Sequence, residues 1–387
     1  MRLRREAGRF TLIAMLAVVT AMTIAACSET SATPTPGKPV ATSVPGGPTL
    51  QPVSPTATPQ TLPVANQPTA TPGAVGVDIT RDPTDLPAPV GDRGPATVNV
   101  ELETIEVMGQ LADGTTFKYW TFDGLVPGPM IRVREGDTVN LTLKNAPGNL
   151  LIHSIDLHAV TGPGGGAAVT QVAPDSEKSF TFKALKPGLY VYHCATPSVP
   201  HHISSGMYGM ILVEPEGGLP EVDHEFYVMQ GEIYTLQPFG TKGEAQFDHE
   251  KMLDEQPEYF VFNGAAGALT TDEHALRAEV GDSVRIYFGV GGPNFTSSFH
   301  VIGEIFDLVY DEASLISEPL EGVQTTLVPP GGATVVEFTV EYPGRYILVD
   351  HALARLERGL AGYLYVEGEA DPAIFHSDEA GGDTGGH

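Results

Sequence analysis

Cysteine is almost absent from this chain: its 387 residues hold two, Cys27 and Cys194. A fold stapled by disulfides is therefore excluded. Positive charge is also scarce, with 21 Lys and Arg against 48 Asp and Glu and a formal net charge of −27. That balance argues against a nucleic-acid partner and favours a basic one. Beyond Phe10 to Ala26 no apolar run approaches the length of a membrane span, and no long amphipathic helix is visible. Membrane bundles and coiled coils fall away with them.

What the chain has in quantity is glycine and proline, 44 and 33 residues, a load that favours turn-rich β structure. Its length suits two domains of roughly 100 to 200 residues. Residues 1–26 read as an export signal: Arg2, Arg4, Arg5 and Arg9 precede an uncharged stretch ending Ile24-Ala25-Ala26-Cys27. That ending resembles a bacterial lipobox, in which cleavage leaves the cysteine lipidated, so Cys27 is the expected lipid attachment. The segment carries four arginines and one glutamate, so its removal takes the charge from −27 to −30. The expected location is the bacterial cell envelope, with the chain exported and held to the membrane by its lipid alone. Residues 27–95 read as a disordered tether, since Ser31 to Pro95 holds 15 of the 33 prolines and Lys38 is its one charge before Asp78. Residues 369–387 read as a frayed acidic tail.

Between these ends short strands alternate with Gly, Pro and Asp turns. Thr138-Val139-Asn140-Leu141-Thr142-Leu143 has the period of a half-buried antiparallel strand. Further strands are expected over 96–107, 117–122, 130–134, 179–183, 188–193 and 210–214. The chain also repeats. Phe122-Asp123-Gly124 returns as Phe262-Asn263-Gly264, and Glu135-Gly136-Asp137-Thr138-Val139 as Val280-Gly281-Asp282-Ser283-Val284. Pro187-Gly188-Leu189-Tyr190-Val191 returns as Pro343-Gly344-Arg345-Tyr346-Ile347, and Val172-Ala173-Pro174 as Val328-Pro329-Pro330. Four matches in one order imply two β-sandwiches of one kind, over 96–217 and 218–368.

The histidines carry the chemistry. His153 and His158 lie in Ile152-His153-Ser154-Ile155-Asp156-Leu157-His158, a predicted strand on which His153 points one way and Asp156 and His158 the other. His193 and Cys194 are adjacent at the end of another strand, so they too diverge. Two such pairs predict two metal centres, one on each side of the layer. The first gathers His153, Cys194, His201 or His202, with His202 preferred, and Met207. Two imidazoles, a thiolate and a distant thioether suit copper for electron transfer, and they also account for a lone exported thiol. The second takes His158, His193 and His351, three imidazoles with an open position for copper or zinc. Because His351 ends a strand of the second sandwich, this metal belongs at a domain interface, within one chain or between two. Asp156 and His300 form a candidate proton-donating pair above it, and Ile302 shares the face of His300. His224, His249, His274, His376 and His387 read as surface residues. Gly162-Pro163-Gly164-Gly165-Gly166 lacks the Gly-Lys-Ser/Thr of a phosphate loop and reads as a flexible loop near the metal.

On these motifs the chain resembles the copper-containing nitrite reductases, most closely their lipid-anchored outer-membrane class. The stretches are Tyr119-Trp120-Thr121-Phe122-Asp123-Gly124, Met130 to Thr138, Tyr190-Val191-Tyr192-His193-Cys194-Ala195, Gly206-Met207-Tyr208-Gly209, Phe299 to Glu304 and Val349-Asp350-His351. The resemblance implies an all-β chain of two tandem cupredoxin-like Greek-key β-sandwiches. It implies type 1 copper on His153, Cys194, His202 and Met207, and type 2 copper on His158, His193 and His351. Asp156 is then the active-site acid, His300 the active-site histidine and Ile302 the residue that shapes the substrate space. It further implies a homotrimer sharing each type 2 copper between subunits. The implied reaction is one-electron reduction of nitrite to nitric oxide, with two protons taken up and water released. Ser154 stands where the family usually has Asn, and His201 where it often has Trp or Met. The acidic surface suggests a c-type cytochrome or small cupredoxin as electron donor.

Two other readings compete. A multicopper oxidase needs paired His-x-His motifs for its trinuclear cluster, and the chain has none. A surface-tethered copper protein that relays electrons or stores metal would suit the tether, but it has no use for His158, His351, Asp156 and His300 together.

Overall fold

The computed structural model describes residues 76–378. The expected leader, Cys27, the tether up to residue 75 and residues 379–387 lie outside the described part. Among the described residues the Gly, Pro and Asp turns divide the chain into short strands that assemble into four sheets. In Thr138–Asn145 alternate residues are buried, as the period of two requires.

The first sandwich faces a five-stranded sheet against a four-stranded one. The five are ordered Gly243–Ala245, Thr115–Phe122, Thr97–Ala112, Thr138–Asn145 and Ser176–Lys183; the four are Ile131–Arg134, Tyr208–Glu214, Gly188–His193 and Asp156–Leu157. The second sandwich repeats the plan with six strands over five. Its strands Ser297–Ile302 and Gly344–Asp350 pair antiparallel, with His300 opposite Val349 and Phe299 opposite Asp350. The sequence repeat is visible in three dimensions. Phe122-Asp123-Gly124 and Phe262-Asn263-Gly264 make the same tight reversal, with positive φ at Asp123, Gly124, Asn263 and Gly264, which Asp, Asn and Gly tolerate best.

Three apolar cores form among the described residues. One fills the first sandwich around Trp120, Phe122, Leu141, Ile155, Leu157 and Tyr192, and one fills the second around Phe262, Phe288, Phe299 and Leu348. The third lies between the sandwiches, where Tyr119, Tyr208, Met210, Tyr227, Met229 and Tyr287 meet. Strands at this seam are buried on both faces: along Thr115–Phe122, Phe117 and Tyr119 enter the seam while Trp120 and Phe122 enter the first sandwich. A buried ionic network spans the same seam, Arg132 pairing with Glu214 and Glu225, and Arg285 with Glu225 and Glu337.

Two boundaries differ from expectation. Residues 76–95, assigned to the tether, are packed: Ile79 is fully buried, Val77 bridges Gly109, and Thr80 bridges Val126. Asn263 Nδ2 donates to the Arg81 carbonyl at 2.9 Å, and His274, expected at the surface, is 11% exposed and holds Asp78 at 3.0 Å. The split at 217/218 is crossed by Gly243–Ala245, which pairs parallel with Thr115–Phe117 of the first sandwich. Of the expected tail, residues 369–378 are described and all are exposed, with a turn at Asp371 and the Phe375 ring 5.5 Å from that of Tyr342. Among the described residues no helix is long and apolar enough to cross a membrane.

Candidate metal centres

The segment from Ile152 to His158 is strand only at Asp156–Leu157, joined to Tyr192 and His193 of Gly188–His193. His153 makes a separate bridge with Val172. The break does not alter the outcome of the parity argument, because His153 turns into the sandwich while Asp156 and His158 turn out of it. A buried amide network fixes the approach: Asn145 Nδ2 donates to the carbonyls of Leu151 and Val172 at 2.8 Å each, and Asn149 Nδ2 donates to that of Thr104 at 2.7 Å.

Inside the sandwich His153, Cys194 and His202 bring one ligand atom each within 4.8 Å of one another, all three buried. His153 Nδ1 and Cys194 Sγ each lie 3.3 Å from His202 Nδ1. His201 and His202 are consecutive on the short helix Val199–Ser204, about 100° apart around its axis. His202 therefore faces the cysteine, while His201 stacks on Phe247 with ring centroids 3.6 Å apart. Met207 is fully buried, its carbonyl accepting from Cys194 N–H at 3.1 Å and its N–H donating to the His202 carbonyl at 3.2 Å. Burial, aided at His202 by the neighbouring His153, pushes the His153 and His202 imidazoles down to about 4 and about 3. Both are neutral at pH 7, the form that binds metal. Burial pushes the Cys194 thiol up, and a coordinated metal would deprotonate it. Two convergent neutral imidazoles and one sulfur, sealed from water, fit a soft metal such as copper.

Three further residues support this centre: Ser154, already singled out as a departure from the family, and Thr196 and Trp120, to which sequence reasoning assigned no role. Ser154 N–H donates to Cys194 Sγ at 3.4 Å, and Thr196 Oγ1 donates to Ser154 Oγ at 3.1 Å. Trp120, the single tryptophan, packs its ring 4.4 Å from His201 and 4.6 Å from His202. Its presence in the Tyr119-to-Gly124 motif was the available signal.

On the outer side Asp156, His158 and His193 bring ligand atoms within 4.8 Å of one another, with His158 exposed. The two imidazoles meet Nε2 to Nε2 at 3.2 Å. His193 Nδ1–H donates to the Cys194 carbonyl at 3.0 Å, which leaves Nε2 free for a metal. Packing around the ring, then the facing His193, pushes the His158 pKa down, again favouring the ligating form. The glycine-rich loop is a 3₁₀ turn over Pro163–Gly166 lying against this group. At Gly165 a Cβ would stand 1.9 Å from Asp156 Oδ1 and 2.8 Å from the Leu157 carbonyl oxygen.

His351 does not join that group within the chain. It is exposed, immediately after Gly344–Asp350, with its ring 5.6 Å from that of His300. His300 Nδ1–H donates to the Gln324 carbonyl at 2.5 Å, leaving Nε2 as its free nitrogen. Ile302 follows on the same outward face of Ser297–Ile302. Asp350, also unforeseen, is buried and builds the turn under His351, accepting from Ser298 N–H and Ala352 N–H at 3.0 Å each and pairing with Arg355. Two separate groups, candidate half-sites, thus lie at the surface, Asp156-His158-His193 on the first sandwich and His300-Ile302-His351 on the second.

Residues 104–218 and 241–370 each match a family model described as multicopper oxidase. Over 298 residues the chain is 52% identical to a copper-containing nitrite reductase of Neisseria meningitidis serogroup A, spanning 77% of this chain and 76% of that one. A copper-containing nitrite reductase of Cereibacter sphaeroides is 37% identical over 302 residues, 73% and 79% of the two chains. Among solved structures, a copper nitrite reductase from Nitrosomonas europaea is similar with a TM-score of 0.63 at 33% identity, covering 71% of this chain and 96% of that one.

Proposed function

The chain belongs to the copper-containing nitrite reductases, copper-dependent oxidoreductases that act on nitrite, and from that premise we propose how its residues divide the work. His153, Cys194, His202 and Met207 would hold type 1 copper. His158 and His193 of one copy, with His351 of a neighbouring copy, would hold type 2 copper, and the reaction is the one-electron reduction of nitrite to nitric oxide. Copper supplies a one-electron couple at the first centre and an electrophilic seat for the anion at the second.

The observation that carries this reading is the placement of His193 beside Cys194. A soft buried donor set and a set exposed to solvent are joined by one peptide, and the His193 Nδ1 hydrogen bond closes it. Successive side chains leaving opposite faces of one strand put the two sets about 10 to 13 Å apart, a span suited to electron tunnelling. Asp156, in the same group as His158 and His193, holds a proton and passes it to the nitrite oxygen that leaves as water. His300, anchored through Nδ1, moves the second proton at Nε2. Ile302 limits how the anion lies.

Neither half-site suffices alone, so the active site is completed where the first sandwich of one copy meets the second sandwich of the next. A heterologous contact of this kind closes as a ring, and the homotrimer is the expected assembly. Lipid anchoring at Cys27 in the bacterial envelope and electron supply by a basic c-type cytochrome or small cupredoxin complete the proposal, supported by the leader's composition and the net charge of −27.

The test is nitrite-dependent nitric oxide release on an electrode, under argon with an artificial reductant, from protein assayed for copper. Nitric oxide from protein with two coppers per chain is expected. Two coppers and no nitric oxide would favour a tethered relay or store instead. Gly165→Ala probes the outer group in the same assay. Its Cβ displaces the Asp156 carboxylate at a position already at φ +54°, so turnover should fall about 100-fold, as for a reacting group misplaced by an ångström, with copper content unchanged. Turnover within twofold of the unaltered chain would contradict the placement of Asp156.

A further inference from the structure

Glu106 is a buried carboxylate that the reaction as described leaves unused. It lies in Thr97–Ala112, opposite Trp120 of the neighbouring strand, with its side chain 3% exposed. Oε1 accepts the backbone N–H groups of Leu150 at 2.7 Å and Leu151 at 2.8 Å, which pins the loop leading into His153. The same oxygen is 3.7 Å from His153 Nε2, a buried nitrogen with no hydrogen-bond partner. Oε2 is 2.9 Å from the Lys118 ammonium, which is half exposed. Because His153 Nδ1 faces His202 and Cys194 across the metal-binding space, its proton belongs on Nε2, aimed at Glu106.

We propose that Glu106 is a positioning residue for the buried centre: it holds His153 with Nδ1 toward the copper and, opposed by Lys118, sets that centre's reduction potential. The inference rests on the assignment of His153, Cys194 and His202 to type 1 copper. A negative charge behind a ligand stabilises the more positive, oxidised metal and lowers the potential; the ammonium on its far side works the other way. The pair therefore tunes how readily the centre accepts an electron and hands it on, without touching nitrite.

Glu106→Gln and Lys118→Met separate charge from structure in the copper-loaded full chain. Gln keeps an oxygen to accept from Leu150 and Leu151 and removes the charge; Met keeps the length of the lysine and removes the opposing charge. The reading is a redox titration followed by the absorption of the Cys194 thiolate bound to copper. Glu106→Gln should shift the equilibrium toward the reduced form about tenfold, a rise of about 59 mV for a one-electron couple, and Lys118→Met should lower the potential. Shifts of the same sign, or no shift, would overturn the proposal. Should Glu106→Gln fail to fold, Lys118→Met decides by itself: a lower potential supports the role, and an unchanged or higher one removes it. If the unaltered chain lacks the thiolate absorption, the copper assignment fails and this inference with it. Absorption with an unmoved potential removes the inference alone.

Discussion

Asp156→Asn lowers nitrite turnover by about 100- to 10,000-fold, the range over which a positioned proton donor acts, while both coppers remain bound. Asn has nearly the shape of Asp, so the packing against Gly165 survives, and His158 and His193 still meet Nε2 to Nε2. What is lost is a group able to hold a proton beside the leaving oxygen. The loss should therefore fall mainly on kcat at saturating nitrite, because an interaction made in the transition state is removed. Nitric oxide release together with copper content measures it. Full copper with turnover within about threefold of the unaltered chain would move the proton-donating role from Asp156 to His300.

The buried donor set and the outer group of Asp156, His158 and His193 were legible in the sequence because they depend on local chain geometry; His351 does not join that group within the chain. Seven residues between Cys194 and His202 and four between His202 and Met207 place soft donors on one short loop. A strand's alternation sends Cys194 and His193 apart whatever surrounds them. The choice between His201 and His202 was not settled by spacing, since it turns on a six-residue helix, Val199–Ser204, too short to announce itself by periodicity. Composition misled at residues 76–95. Averaged over a proline-rich stretch, a single isoleucine carries no weight, yet Ile79 is fully buried in the seam with Tyr119 and Val126. Glu106 was invisible for a related reason: its partners Leu150, Leu151 and His153 lie more than 40 residues downstream. Tertiary contacts of that range leave no trace in local pattern, whereas the repeated Phe-Asp-Gly and Phe-Asn-Gly turns did.

His158→Ala and His351→Ala each abolish nitrite turnover, and mixing the two variants restores it. The expectation follows from the separation of the half-sites, since His158 and His193 converge at 3.2 Å on one sandwich while His351 sits beside His300 on the other. If a site is built between neighbours in a ring, an intact one needs its His158 from a His351→Ala chain and its His351 from a His158→Ala chain. Random assembly from equal amounts makes about one quarter of the sites intact, so a mixture dissociated and reassembled should recover about that share of activity. Each variant alone should keep the absorption of the buried thiolate centre, because His153, Cys194 and His202 are untouched. A chain that gathered all three histidines by itself would recover nothing on mixing. Zero recovery from reassembled protein with its buried centres intact would place the active site inside one chain and remove the reason for a ring.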